Sequence, residues 1–161
     1  TVASVLRGTR AAEVVFHAIG EEGDVQELRA AFSHDARARF RAWPLALARP
    51  WLRQLPGHCT DRNPQALHWG DAEVVNGILA RLFVHEILPN DIREVLILDV
   101  GDVLVLGDLR RLADLAAEGF TSEQAVGMAR HNAAERILAP RHRRRAELNA
   151  GVVLADLGKL R

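Results

Sequence analysis

The sequence predicts an α/β sandwich with a largely parallel central sheet, and three observations carry that prediction. Short β-branched and aliphatic runs, EVVFHAI at 13–19 and EVLIL at 94–98, end at Gly or Asp, as strands do. Between such runs lie stretches whose apolar residues recur at helical spacing, and strands alternating with helices build helix-covered sheets. The chain has 161 residues of which 48% are hydrophobic, enough for one domain with a real core. We therefore expect a single domain over 1–161.

The elements follow in order. Val2 to Leu6 is the tail of a helix, and Glu13 to Ile19 is a buried strand closed by Gly20. Asp24 is placed to cap the helix of DVQELRAAF, with Val25, Leu28, Ala31 and Phe32 on its apolar face. ARARFRAW alternates small or apolar residues with arginines and predicts a half-exposed strand. Four prolines between Pro44 and Pro64, with little periodicity, predict a long irregular loop. A helix is expected from Ala72 to Leu88, through Val75, Ile78, Leu79, Leu82 and Phe83, ended by Pro89. Strands follow at Glu94 to Leu98 and Val103 to Leu106, then a helix opening at Asp108. QAVGMAR predicts another strand, APRHRRRAE a basic connector, and LNAGVVLADLGKLR a strand running into a helical turn. The chain reads as starting and stopping inside a larger fold.

Composition excludes several classes. The 21 basic and 21 acidic side chains balance, so no global field favours nucleic acid or an anionic membrane. No apolar run approaches the ~18 residues that span a bilayer. Cys59 is the single cysteine, which excludes an internal disulfide and a cysteine-rich zinc site.

The chemistry concentrates in REVLILDVGDVLVLGDL, where a buried-strand pattern is broken by Asp99, Asp102 and Asp108. Ionised carboxylates beside a core need a cationic partner. Asp99 stands at the carboxyl end of a strand, where α/β sheets bind ligands. Two carboxylates three residues apart in a glycine-containing turn can converge on one hard divalent cation, which then meets phosphate oxygens of a substrate. Equally, Asp99 and Asp102 can be turn formers facing water. Asp108 is expected to cap the helix after it. His17 reads as a hydrogen-bonded core residue, Trp43, Trp51 and Trp69 as packing residues, and Arg141 to Arg145 as a solvated loop.

Two family resemblances bear on the turn. ILDVGDVLV resembles the nucleophile motif of haloacid-dehalogenase-like phosphatases, with Asp99 as phosphate acceptor. That motif normally opens its domain, whereas here nearly a hundred residues of α/β pattern precede it, and Gly-Asp stands where Asp-Gly or Gly-Gly is usual. The second resemblance runs almost end to end. LFVHEILPNDIREVLILDVGDVLVLGDLRRLADL, the later Asn149-Ala150-Gly151-Val152 with LADLGKLR behind it, and the opening VASVL…VVFHAIGEEGD resemble family 8 retaining glycosyltransferases of the xylosyl- and glucuronyltransferase branches.

That resemblance implies a GT-A-type fold truncated at both ends, and transfer of a sugar from a UDP-sugar to a glycan or glycoprotein acceptor with retention. It implies an Asp-x-Asp holding Mn²⁺ or Mg²⁺. Asp99 matches the first aspartate; Gly101 stands two residues on, so Asp102 fits the second with one extra residue in the turn. Arg81 matches a donor-supporting arginine, and Asn149, Ala150 and Gly151 match the border of the sugar pocket. The family's C-terminal histidine and lysine segment and its first strand are not in these residues. A degenerate or fragmentary non-catalytic paralogue is the alternative. Family members are lumenal in the Golgi or endoplasmic reticulum.

Overall fold

The structure, a computed structural model, describes residues 1–55, 77–101, 103–130 and 148–161. They form two compact units, Thr1–Arg10 with Ile92–Leu160, and Ala11–Asp91 with Arg161.

In the second of these, β1 (Val14–Gly20) and β2 (Ala38–Pro44) pair in parallel, in register from Val14 with Ala38 to Gly20 with Pro44. The helix between them, α2 (Glu22–Ala31), is the crossover that a parallel pair requires. Alternation sends Phe16 and Phe40 to one face, where their rings stack 5.0 Å apart, and Phe32 at the end of α2 stacks on Phe40 at 6.4 Å. Ile19 and Trp43 belong to the other face and pack against buried Ala48, Leu52, Ala80 and Ile87. The expected cap at Asp24 is corrected: Glu21 is the N-cap, and Asp24 sits in the first turn. There its charge still complements the helix dipole.

The predicted irregular loop after Pro44 is in its described part ordered into a 3₁₀ turn, Leu45–Ala48, and a helical turn, α3 (Arg49–Leu52). Pro50 occupies the first turn of α3, where its missing N–H costs nothing, so proline density misled the prediction. The helix expected from Ala72 to Leu88 is described from residue 77. It is helical to residue 80, then tightens to 3₁₀ over Arg81–Phe83 before α4 (Val84–Ile87). Phe83 leaves helical dihedrals at φ −115°, ψ 17°, and its ring stacks on Trp51 at 6.4 Å. Leu88 is extended ahead of Pro89, as the proline ring demands. Arg161 donates to the carbonyls of His85, Leu88, Pro89 and Asn90, a cation and a donor set at the C-terminus of α4.

His17 is hydrogen-bonded, as its place in an apolar strand predicts: Trp43 Nε1 donates to its Nδ1 at 3.0 Å. The ring is thereby held neutral, with its proton on Nε2. Burial first, and then Arg41 directly across the ladder, lower its pKa below 6.5, with Asp91 opposing. The unfolded chain therefore binds the proton more readily, and stability contributed by this pair is present above about pH 6.5 and is lost on acidification. We expect the urea midpoint to fall between about pH 8 and pH 5, less steeply in His17→Gln, where an amide carbonyl can accept the same indole N–H. Equal slopes would remove His17 from the account.

In the first-named unit, β5 (Leu148–Asp156) lies between β3 (Glu94–Leu98) and β4 (Val126–Arg130) and is antiparallel to both. Val153, Ala155 and Leu157 are buried at alternate positions, the half-buried pattern of period two. Helix α1 (Val2–Gly8) buries Val2, Val5 and Leu6. α5 (Arg110–Gly119) precedes β4, and the turn α6 (Leu157–Leu160) packs beside β3.

Val103 to Leu106, predicted as a strand, is not one. Val103 and Val105 are half-buried and Leu104 and Leu106 exposed, so the segment alternates like a strand but pairs with no strand among the described residues. Val105 N–H donates instead to Ser4 Oγ at 2.9 Å. The period-two signal reports instead a segment with one side turned to α1 and the other to solvent.

Candidate functional site

The register of the three-stranded sheet decides what meets at the acidic turn. Leu98 pairs with Val152, and Asp99 N–H donates to the Gly151 carbonyl at 3.0 Å, carrying the ladder one residue further. On the far side of β5, Met128 pairs with Val153 but Ala129 with Asn149, so residues 150–152 bulge against β4. Bulges of this kind end or redirect pairing beside functional sites. The carboxyl ends of β3 and β4 therefore share one sheet edge with the amino end of β5. Asp99, half-buried, and Gly151 are brought together there by backbone hydrogen bonding, with Asn149 and Ala150 in the same strand.

The turn after Asp99 is held by α1. Gly101 has φ 98°, a value open to glycine and strained for any side chain. Thr1 Oγ1 donates to the Asp99 carbonyl and accepts from Gly101 N–H, both at 3.0 Å. At Gly8, a Cβ would stand 2.8 Å from the Gly107 carbonyl oxygen and 3.2 Å from Val105 Cγ1, so α1 and the 105–107 backbone are in close approach.

Asp108 has its cation. Arg110 Nε and Nη2 donate to Oδ2 at 3.1 and 2.8 Å, and the Arg110 backbone N–H donates to Oδ1 at 3.2 Å. Thr9 Oγ1 adds a contact to Oδ1 at 3.3 Å. The guanidinium of Arg110 first, and then its backbone N–H, lower the Asp108 pKa to about 2. Its carboxylate caps α5, as expected, and is committed to that role.

The remaining site residues divide. Arg81 belongs to the other unit, and its Nε donates to the Ile78 carbonyl at 2.8 Å within its own helical stretch. Asp102, Cys59, Trp69 and the Arg141 to Arg145 run lie outside the described residues. Among the described residues, no three His, Cys, Asp or Glu side chains cluster. Sequence reasoning missed Thr1 and Ser4; the only signal was two hydroxyls at i and i+3 in a helix start, which ordinarily denotes capping.

No family model and no curated protein matches the chain. Among solved structures it is similar to the apo form of mouse xyloside xylosyltransferase 1, at TM-score 0.71 and 17% identity, over 99% of this chain and 60% of that one. The fold is that of a GT-A glycosyltransferase. The match spans less than two thirds of the mouse protein's length. A galactosyltransferase, LgtC, in complex with donor and acceptor sugar analogues also matches, at 22% identity and TM-score 0.48, over 92% of this chain and 59% of that one. That superposition adds nothing to the fold assignment.

Proposed function

We propose that residues 1–161 are part of one catalytic domain of a retaining glycosyltransferase. It would move a sugar from a UDP-sugar to a glycan or glycoprotein acceptor in the Golgi or endoplasmic reticulum lumen. The observation that carries the reading is the meeting of Asp99 with the Asn149-Ala150-Gly151 segment at one sheet edge, in a GT-A fold. Hard carboxylate donors suit Mn²⁺ or Mg²⁺, and Asp99 and Asp102 are the residues that would hold it. Such a cation, when bound, neutralises charge developing on the leaving diphosphate. Asn149 to Gly151 would border the sugar and Arg81 would support the donor.

Asp99→Asn tests this directly. We expect Mn²⁺-dependent UDP binding, read by calorimetry with and without the metal, to weaken about tenfold or more, which is ~1.4 kcal/mol. Stability should change by only about 1 kcal/mol, because the side chain lies outside the packed core. UDP affinity that is equal in the variant and the parent would return Asp99 to the role of turn former and favour a non-catalytic relative.

A further inference from the structure

We propose that Thr1 and Ser4 of α1 are positioning residues for Asp99, an inference that rests on the metal-holding reading above. Thr1 is the N-cap residue of α1, yet its hydroxyl makes no capping bond. A threonine at that position ordinarily turns its oxygen onto the N–H groups of its own helix. Here the oxygen is turned across to the acidic turn, where it donates to the Asp99 carbonyl and accepts from Gly101 N–H. The hydroxyl thus joins the residues on both sides of Val100.

Ser4, 3% exposed, completes the arrangement one turn later. Its Oγ donates to the Thr1 carbonyl at 2.7 Å and accepts from Val105 N–H at 2.9 Å. Each hydroxyl therefore uses its one proton and one lone pair, bridging α1 and the Asp99–Val105 segment at two points. They add side-chain bonds to a turn that contains a glycine at positive φ. With them, Asp99 is tied on both backbone sides, N–H to Gly151 on β5 and carbonyl to Thr1 on α1. Both backbone groups being fixed restricts the direction in which its carboxylate leaves the turn, and ligand residues act best when held by such supporting bonds.

The test uses the full chain and its Thr1→Val and Thr1→Ser variants. Valine keeps the shape of threonine and removes the hydroxyl; serine keeps the hydroxyl. We expect Mn²⁺-dependent UDP affinity to fall about tenfold in Thr1→Val and to be restored in Thr1→Ser, a rescue that lost packing alone would not produce. Hydrogen exchange without metal or nucleotide supplies an independent readout: the Gly101 amide is protected in the parent and in Thr1→Ser, and loses protection in Thr1→Val. A parent that binds UDP no better with Mn²⁺ overturns the metal reading, while the exchange result still decides whether the hydroxyl holds the turn. Unprotected Gly101 in the parent, equal protection in Thr1→Val, or unchanged affinity in Thr1→Val beside a metal-binding parent overturns the positioning role.

Discussion

Replacing Leu157 by alanine is expected to destabilise the protein by about 2–5 kcal/mol. Leu157 has 0% exposure and is the largest fully buried side chain among the described residues. It stands where β5 becomes α6, with its N–H bonded to the Arg93 carbonyl at 2.6 Å just ahead of β3. That bond fixes the backbone, so the surroundings cannot collapse easily onto a truncated side chain, and the cost should include a cavity as well as lost transfer energy. Far-UV circular dichroism in urea is the suitable measurement, since the described tryptophans, Trp43 and Trp51, belong to the other unit. A loss below about 1 kcal/mol would show that the site repacks freely, against the burial described.

Gly8→Ala and Gly23→Ala should move stability in opposite directions. Both glycines lie in helices, and intrinsic helix propensity favours alanine at either by up to about 1 kcal/mol. At Gly23 a Cβ meets nothing within 4 Å, so the propensity gain should survive. At Gly8 the Cβ would lie 2.8 Å from a backbone oxygen, which cannot rotate away as a side chain would. Either α1 or the segment at Gly107 must shift. Movement there disturbs the Val105 to Ser4 bond and the Thr9 contact with Asp108. Overpacking of this kind costs about 1–3 kcal/mol, and at the last residue of α1 it outweighs the propensity term. Parallel urea titrations of both variants check the signs. Stabilisation by both would mean that α1 does not approach the 105–107 backbone as closely as the structure has it.

The acidic turn shows how far the sequence could be read. Its three aspartates were visible as interruptions of a buried-strand pattern, and Asp108 was assigned to a cap from its place before a helical periodicity. Local spacing suffices there, because a cap involves residues that are neighbours in the chain. The Asn149-Ala150-Gly151 segment was legible as part of a strand from its pattern, but as a site only through family resemblance. Its meeting with Asp99 depends on a register between strands some fifty positions apart, and a one-residue slip would have paired Asp99 differently. Val103 to Leu106 was misread for the same reason, since period-two alternation does not say whether a neighbouring strand exists.

By itself, then, the sequence determined what is local: the strands at 14–20, 94–98, 126–130 and 148–156, a glycine in the acidic turn, the cap at Asp108 and the hydrogen-bonded histidine in β1. Tertiary structure alone decided that the hydroxyls of Thr1 and Ser4 leave their own helix to bond the Asp99–Val105 segment, about a hundred positions away. It also decided that α1 comes close enough to Gly107 to exclude a methyl group at position 8. A helix start leaves unpaired backbone N–H groups in any protein, and Ser or Thr there brings hydroxyls that can bond them. Which of them turn inward to cap, and which turn outward to hold another segment, depends on what packing brings within ~3 Å, and that distance is not written in local spacing.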